Sequence, residues 1–416
     1  MEPTEADDLL LHVILDDEGR QDPYPAYRRL RDELPQWRNQ AGGTVLTRYQ
    51  DCVDALRNPR LGRPEPDMEI ADTLTGAPRR APEQEVAMLF LNPPDHTRIR
   101  SLVSRAFTPR RVDELRPAIA ALLDPVLDRF AEQGGGDVVT DLAVPFPVAV
   151  ISELLGVPPE DSAALEPDIH AGTALIDATL DEERRAQGEA AVLRVAEYFV
   201  ELAAAKRAHP DDKMFSDLIQ AELEGDRLSE AELIGNTILL YAAGFETTSN
   251  LIGNGLRALL AHPEQMARLR ADRSLVPSAV VEMLRYDSPV QLNVRAVLEE
   301  VELFGRSWGR GELFIVLQGA GNRDEAVYPG AESFDVGRFD AATAGTEAPP
   351  PLSFGWGAHH CLGAHLARAE GEAVFHALLD RFDELELDGA ALQGAAPHYR
   401  PSFTLRGLSS LPVRVA

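Results

Sequence analysis

The chain has 416 residues, 44% of them hydrophobic, and a formal net charge of −28. There is apolar material for a large core, while the acidity argues against nucleic acid as a partner, because phosphate binding needs a dominant basic surface. The two cysteines, Cys52 and Cys361, lie far apart, which speaks against a disulfide framework and for a reducing, cytoplasmic compartment.

In chain order, the opening Met1-Glu2-Pro3-Thr4-Glu5-Ala6-Asp7-Asp8 lacks the basic and apolar regions of a signal peptide. Asn92-Pro93-Pro94-Asp95 reads as a turn and helix start that places His96 and Arg100 on one face at i, i+4. Gln133-Gly134-Gly135-Gly136 reads as a short turn, and Pro349-Pro350-Pro351 is too brief for a tether. With no linker to divide it, 1–416 is expected to be a single domain.

Ser229-Glu230-Ala231-Glu232 is a capping box, and apolar periodicity continues to the stop at His262-Pro263. The spacing predicts one helix of roughly 32 residues, about 48 Å long. The apolar run from Leu233 meets Glu246 before the ~20 residues that a membrane span requires, so no anchor is expected. At the middle, Ala243-Gly244-Phe245-Glu246-Thr247-Thr248 interrupts the apolar face. Glycine there costs up to about 1 kcal/mol against alanine, and a threonine hydroxyl can bond back to the i−4 carbonyl. A solvated polar face would be the plain explanation, but Leu239, Leu240, Leu251 and Ile252 flank the cluster and favour a buried, functional one.

Further along, the helical run Pro277–Tyr286 sets Glu282 and Arg285 at i, i+3, Pro289-Val290-Gln291-Leu292-Asn293-Val294 leads into Arg295, and Gly337-Arg338-Phe339 follows. Taken alone these are ordinary surface pairs. The most informative stretch is Phe354-Gly355-Trp356-Gly357-Ala358-His359-His360-Cys361-Leu362-Gly363-Ala364-His365-Leu366-Ala367-Arg368, a glycine-punctuated loop that brings a cysteine to the start of a helix. Such a thiolate is stabilised by free N–H groups and the helix dipole, and suits ligation of a haem iron. Zinc held by Cys361 and His365, or a buried structural cysteine, would also fit a cysteine here; neither accounts for the glycines.

The loop is similar to the haem-binding pattern FGxGxHxCxGxxLAR of the cytochrome P-450 superfamily, and Ala243 to Thr248 is similar to that family's AGxETT motif. The resemblance implies a mainly α fold with small β-sheets (α+β), the haem lying between the long central helix and the cysteine-loop helix. It implies haem b as cofactor, Cys361 as axial iron ligand, and His96, Arg100, Arg295 and His359 as partners of the haem propionates. Glu246 and Thr247 would handle protons during oxygen activation. Glu282, Arg285 and Arg338 would form the family's buried ExxR triad and fix the cysteine loop. Leu89, Phe90, Leu239, Ala243, Val290, Leu292, Asn293 and Phe403 would line a substrate pocket.

Weaker matches run through Asp22-Pro23-Tyr24-Pro25, Asn322-Arg323-Asp324 and Leu411-Pro412-Val413. The stretches 62–90 and 167–190 match least and are expected to cover the substrate. The activity implied is monooxygenation of a lipophilic small molecule of secondary metabolism with O2, by hydroxylation or epoxidation, with electrons from a ferredoxin and its reductase. A basic patch of Arg98, Arg105, Arg110 and Arg111 is expected to receive the ferredoxin. A peroxygenase of the same fold and a non-catalytic haem-thiolate gas sensor are the alternatives.

Overall fold

The computed structural model describes residues 1–65, 67–68, 87–177, 181–223, 228–344 and 348–416, so most of the expected substrate-covering stretch 62–90 lies outside the described residues. From the N-terminus, α1 (Pro3–Leu15) and α2 (Tyr24–Glu33) lead into β1 (Gln36–Arg38), β2 (Gly43–Leu46), α3 (Tyr49–Arg57) and β3 (Leu61–Gly62). A mostly helical stretch follows: α4 (Asp95–Val103), α5 (Pro109–Glu132), β4 (Gly135–Asp137), α6 (Pro145–Leu155), α7 (Pro159–Thr173), α8 (Glu182–Ala208) and α9 (Met214–Leu223). Next come α10 (Glu230–Ala261), α11 (Pro263–Ala271) and α12 (Val276–Tyr286), then β5 (Leu292–Val297), β6 (Val301–Leu303), β7 (Arg306–Trp308) and β8 (Leu313–Leu317). The chain ends with α13 (Ala364–Arg381), β9 (Leu385–Leu387) and β10 (Pro412–Val415).

The central helix α10 starts where the capping box places it: Ser229 Oγ accepts from the Glu232 N–H, and the Glu232 carboxylate accepts from the Ser229 N–H. It runs for 32 residues without a break. Leu233, Tyr241, Phe245, Leu251, Ile252, Leu256 and Leu259 are all buried, so apolar groups clothe it on several sides, as in a helix inside a large core. It packs against α6, α7, α8, α12 and α13. At Gly255 the approach is close enough that a side chain would strike Met283 of α12 and Phe375 of α13.

The main sheet has the order β1-β2-β8-β5-β3. β2 runs parallel to β8, and the other pairs are antiparallel. Every residue of β8, Leu-Phe-Ile-Val-Leu, is buried, the pattern of a strand covered on both faces. A second sheet, β4-β10-β9, corrects the reading of the glycine run. Gln133 and Gly134 do turn, but Gly135–Asp137 is a strand paired with β10. Gly135, at φ +121°, takes a conformation closed to most side chains and lies against the Val413 carbonyl. No single described helix is long and apolar enough to cross a membrane.

One buried cluster holds the loops beneath the core. Arg285 Nε and Nη2 each lie 2.7 Å from a Glu282 oxygen, and Arg338 Nε lies 3.2 Å from both. Arg285 also donates to the carbonyls of Asn322, Ala331 and Ser333, while Arg338 donates to those of Pro329, Gly330 and Ser333. Glu282 and Arg285 are fully buried. The cluster therefore grips the 322–338 segment directly and reaches the cysteine loop one step later. Asn322 Oδ1 accepts from the Leu352 N–H, and Asn322 Nδ2 donates to Ser353 Oγ, which in turn donates to the Leu284 carbonyl.

Substituting Arg285→Met would leave Glu282 buried with Arg338 and the Asp335 N–H as its remaining partners and without its closest counter-charge. A loss of about 3–5 kcal/mol is expected, read as a lower midpoint in urea unfolding; an unchanged midpoint would refute the clamp.

Candidate functional site

A cavity of about 820 Å³ opens between α10 and the cysteine loop. The loop floor is built by glycine geometry. Gly355 and Gly357 adopt φ +65° and +72°, and a side chain on Gly357 would strike the Leu56 carbonyl at the end of α3. At Gly363 an added Cβ would meet only open space. Cys361 precedes α13 rather than lying in its first turn, since the cap is Gly363. Its own N–H donates to the Phe354 carbonyl at 2.8 Å.

Cys361 presents its surface to the cavity. Burial pushes its thiol up, while the Gly363 N–H and the charges of Arg100 and Arg368 pull the other way. His365 does not share a helical face with Cys361, because the helix begins only at Ala364. Its Nε2 lies 3.3 Å from Asp113, and no cluster of three or more metal-binding side chains exists among the described residues. The zinc alternative therefore finds no ligand set there.

Four groups named from the sequence meet on one side of the floor. His96 is buried with both ring nitrogens unpartnered, and its ring lies 4.3 Å from that of His359, whose Nε2 is also unpartnered. Burial, then the charges of Arg100, Arg63 and Arg295, lower His96 to about 4. Burial, then Arg63 and Arg295, lower His359 to about 2. Arg295 is 2% exposed, and burial brings it down to about 10. It donates at 3.0 Å to the Val294 carbonyl and at 3.4 Å to Asn293, with no carboxylate among these partners. Arg100 donates to the His360 carbonyl at 2.6 Å. Buried cations normally face anions. A cofactor with an apolar body, carboxylates at one edge and a thiol-seeking metal fits this set; haem b has that chemistry.

Across the cavity, Thr247 Oγ1 donates to the Ala243 carbonyl at 2.9 Å, the i−4 bond read from the sequence. Glu246 is 4% exposed. His170 Nδ1 lies 2.9 Å from Glu246 Oε2, and Arg400 Nη2 donates to Oε1 at 2.6 Å and to Asn250 Oδ1 at 2.5 Å. Burial favours a neutral carboxyl, but the His170 hydrogen bond and the Arg400 charge outweigh it and hold Glu246 below its ordinary value. Leu89, Phe90, Leu239, Ala243, Val290, Leu292, Asn293 and Phe403 all line the same cavity. Leu11 and Leu15 of α1 also border it.

Several contributors were not visible in the sequence. His170 and Arg400 stand 76 and 154 positions from Glu246, and nothing local marks either. Arg63 joins the cationic corner from the segment after β3. Glu370 of α13 also lines the cavity, with Oε2 unpartnered; burial pushes its carboxyl well up and favours the uncharged form.

Three of the four arginines expected to form a basic patch are paired with acids. Arg98 pairs with Glu232 and Asp95, Arg110 with Glu114 at 3.0 Å, and Arg111 with Asp217 at 2.9 Å. Each arginine meets an acid of this very acidic chain, which cancels its field at a distance. The cations that face the cysteine loop are Arg57, stacked 5.4 Å from the Trp356 ring, Arg100 and Arg368.

The family described as Cytochrome P450 matches residues 178–391. The chain is similar to Cytochrome P450 107B1 of Saccharopolyspora erythraea, 41% identical over 99% of this chain and 98% of that one. It is 39% identical to the Vitamin D(3) 25-hydroxylase of Pseudonocardia autotrophica over 94% of each. The crystal structure of CYP164A2 from Mycobacterium smegmatis superposes with a TM-score of 0.86 at 35% identity, covering 98% of this chain and 100% of that one.

The folded His96 value lies below the ordinary 6.5, so between those values the unfolded chain takes up a proton that the folded one refuses. Stability of the haem-free protein should therefore fall as pH drops from about 6.5 towards 4, and His96→Leu should make that slope shallower by at most about one proton. Equal slopes in pH-dependent denaturation would show that His96 is not held neutral.

Proposed function

The chain belongs to the cytochrome P450 family and is a monooxygenase of bacterial type with haem b as cofactor, and on that premise we propose the following division of labour among its residues. Cys361 would supply the thiolate that holds the iron. His96, Arg100, Arg295 and His359 hold the propionates, with Arg63 adding charge to the same corner. The observation that carries this assignment is the meeting of one thiol and a set of buried, anion-lacking donors around a single cavity. When bound there, haem supplies the redox chemistry that places one atom of O2 in the substrate and reduces the other to water.

The protein's own part is to orient, to exclude water and to move protons. Thr247 has its hydrogen committed to the Ala243 carbonyl, so its oxygen is left to accept hydrogen bonds on the cavity side. Glu246, one residue earlier, is the acid that supplies protons past Thr247. Glu282, Arg285 and Arg338 are structural: through Asn322 and Ser353 they fix the height of the floor.

The substrate is a lipophilic small molecule, hydroxylated or epoxidised, of the kind made in secondary metabolism. Seven of the eight pocket residues are apolar, and the exception, Asn293, has its amide nitrogen engaged by Gln318 Oε1 at 2.5 Å. These eight residues favour an apolar ligand. The named activity of the vitamin D relative supports a substrate of this class. Electrons come from a ferredoxin and its reductase, meeting the cysteine-loop face near Arg57, Arg100 and Arg368. The cavity draws on residues from Asp7 to Leu405, which supports reading 1–416 as one domain, and a cytoplasmic place suits its free thiols.

Cys361→Ala should abolish the red-shifted absorption of the ferrous carbon-monoxide complex that marks sulfur ligation. Retention of that band would overturn the assignment. Thr247→Ala should keep the band but divert electrons from product to hydrogen peroxide, measured as peroxide released per electron supplied with a steroid or polyketide that shifts the haem spin state; unaltered coupling would remove Thr247 from proton handling.

A further inference from the structure

Glu246 poses a difficulty for any proton route. It is 4% exposed, and both its oxygens are engaged. A proton from bulk water must pass through a group that touches both solvent and this carboxylate. Its three named neighbours differ in what they can do. Arg400 cannot give up a proton under protein conditions, and the Asn250 amide does not titrate; imidazole exchanges protons near neutral pH. His170 has the exposure to match: its side chain is 46% accessible, against 23% for Arg400 and 5% for Glu246.

We infer that His170, near the C-terminal end of α7, is the solvent-side proton donor to Glu246, and that Arg400 is the counter-charge that returns Glu246 to its ionised form after each delivery. The inference rests on the proposed role of Glu246 and extends it outward. In each cycle the proton leaves His170 Nδ1 and binds Glu246 Oε2, turning an imidazolium and a carboxylate into a neutral pair. Glu246 passes that proton inward past Thr247 and regains its charge beside Arg400, while His170 takes a new proton from water. Other charged groups bear on the ring. Arg400 Nη1 lies 3.4 Å from Nε2 and 3.5 Å from Nδ1. Glu166, one turn earlier on α7, interacts electrostatically with both His170 and Glu246, and burial pushes its carboxyl up.

The geometry also joins three parts of the chain. His170 belongs to a wall helix, Glu246 to the central helix, and Arg400 to a turn near the C-terminus where Tyr399 bridges Leu408. In that turn, Gly407 backs onto Asn250 so closely that a side chain would displace the amide. His170 and Arg400 are positioning residues: they act through Glu246 and touch no reacting atom.

The test uses the haem-loaded protein, reduced by a photoexcited flavin, with O2 as its own probe. The rate of O2 consumption is followed against pH and in heavy water. In the parent, the rate should fall as pH rises and should carry a solvent isotope effect. His170→Gln should slow it by about tenfold and flatten the profile, since a positioned proton donor contributes typically about 10²- to 10⁴-fold and water replaces part of it. Arg400→Lys should preserve the profile, and Arg400→Met should move its fall to higher pH. An unchanged profile and isotope effect in His170→Gln would overturn the inference.

A readout independent of turnover is the imidazole NMR titration of His170, identified by its loss in His170→Gln. Glu246→Gln should shift it to lower pH, and no shift would also overturn the inference. The carbon-monoxide band separates the two readings: its survival in all these variants keeps the haem assignment even where the proton route fails.

Discussion

At the centre of this protein, buried donors face a cavity where, among the described residues, they meet no carboxylate partner. His96, His359 and Arg295 lie around the cavity with ring nitrogens unpartnered or with carbonyl and amide oxygens as the partners of the guanidinium. Left alone, such an arrangement costs stability, because buried polar groups lose hydration without recovering it. It is tolerable only where the rest of the fold is rigid enough to keep the donors from collapsing onto one another or turning out to solvent. The capped central helix, the buried Glu282 cluster and the left-handed glycines of the cysteine loop supply that rigidity. The fold thus keeps ready a recognition surface for a dianion, and binding that dianion repairs the deficit.

The same rigidity explains which features could be read from the sequence. The central helix was legible because a capping box at Ser229 and a histidine-proline stop are local signals, and its 32 residues follow from them. The cysteine loop was legible because its glycines must sit where other residues are strained. The propionate-side residues and the pocket residues could be named through a family pattern, and the structure gathers all of them on one cavity. The glycine run at 134–136 misled, since glycine normally interrupts strands. Its pairing with β10 depends on a partner almost 280 positions away, at 412–414.

What stayed hidden was long-range. No window of sequence around Glu246 contains its hydrogen-bond partners, because the chain must fold before α7 and the C-terminal turn converge on it. The acids that pair with Arg98, Arg110 and Arg111, three of the arginines expected to greet a redox partner, were hidden for a related reason. Counting cations along a helix does not reveal which acids stand opposite, and in a chain with a net charge of −28 most surface arginines find one. Charge patterns in so acidic a protein are informative only after pairing is known.

The origin of Arg400 has a bearing on biogenesis. The central helix leaves the ribosome with Glu246 still lacking its guanidinium partner, which is made 154 residues later, after the thiol. Until that turn arrives, His170 is the one of the two partners already made. The full surround of Glu246 is therefore complete only once the C-terminal turn has been synthesised.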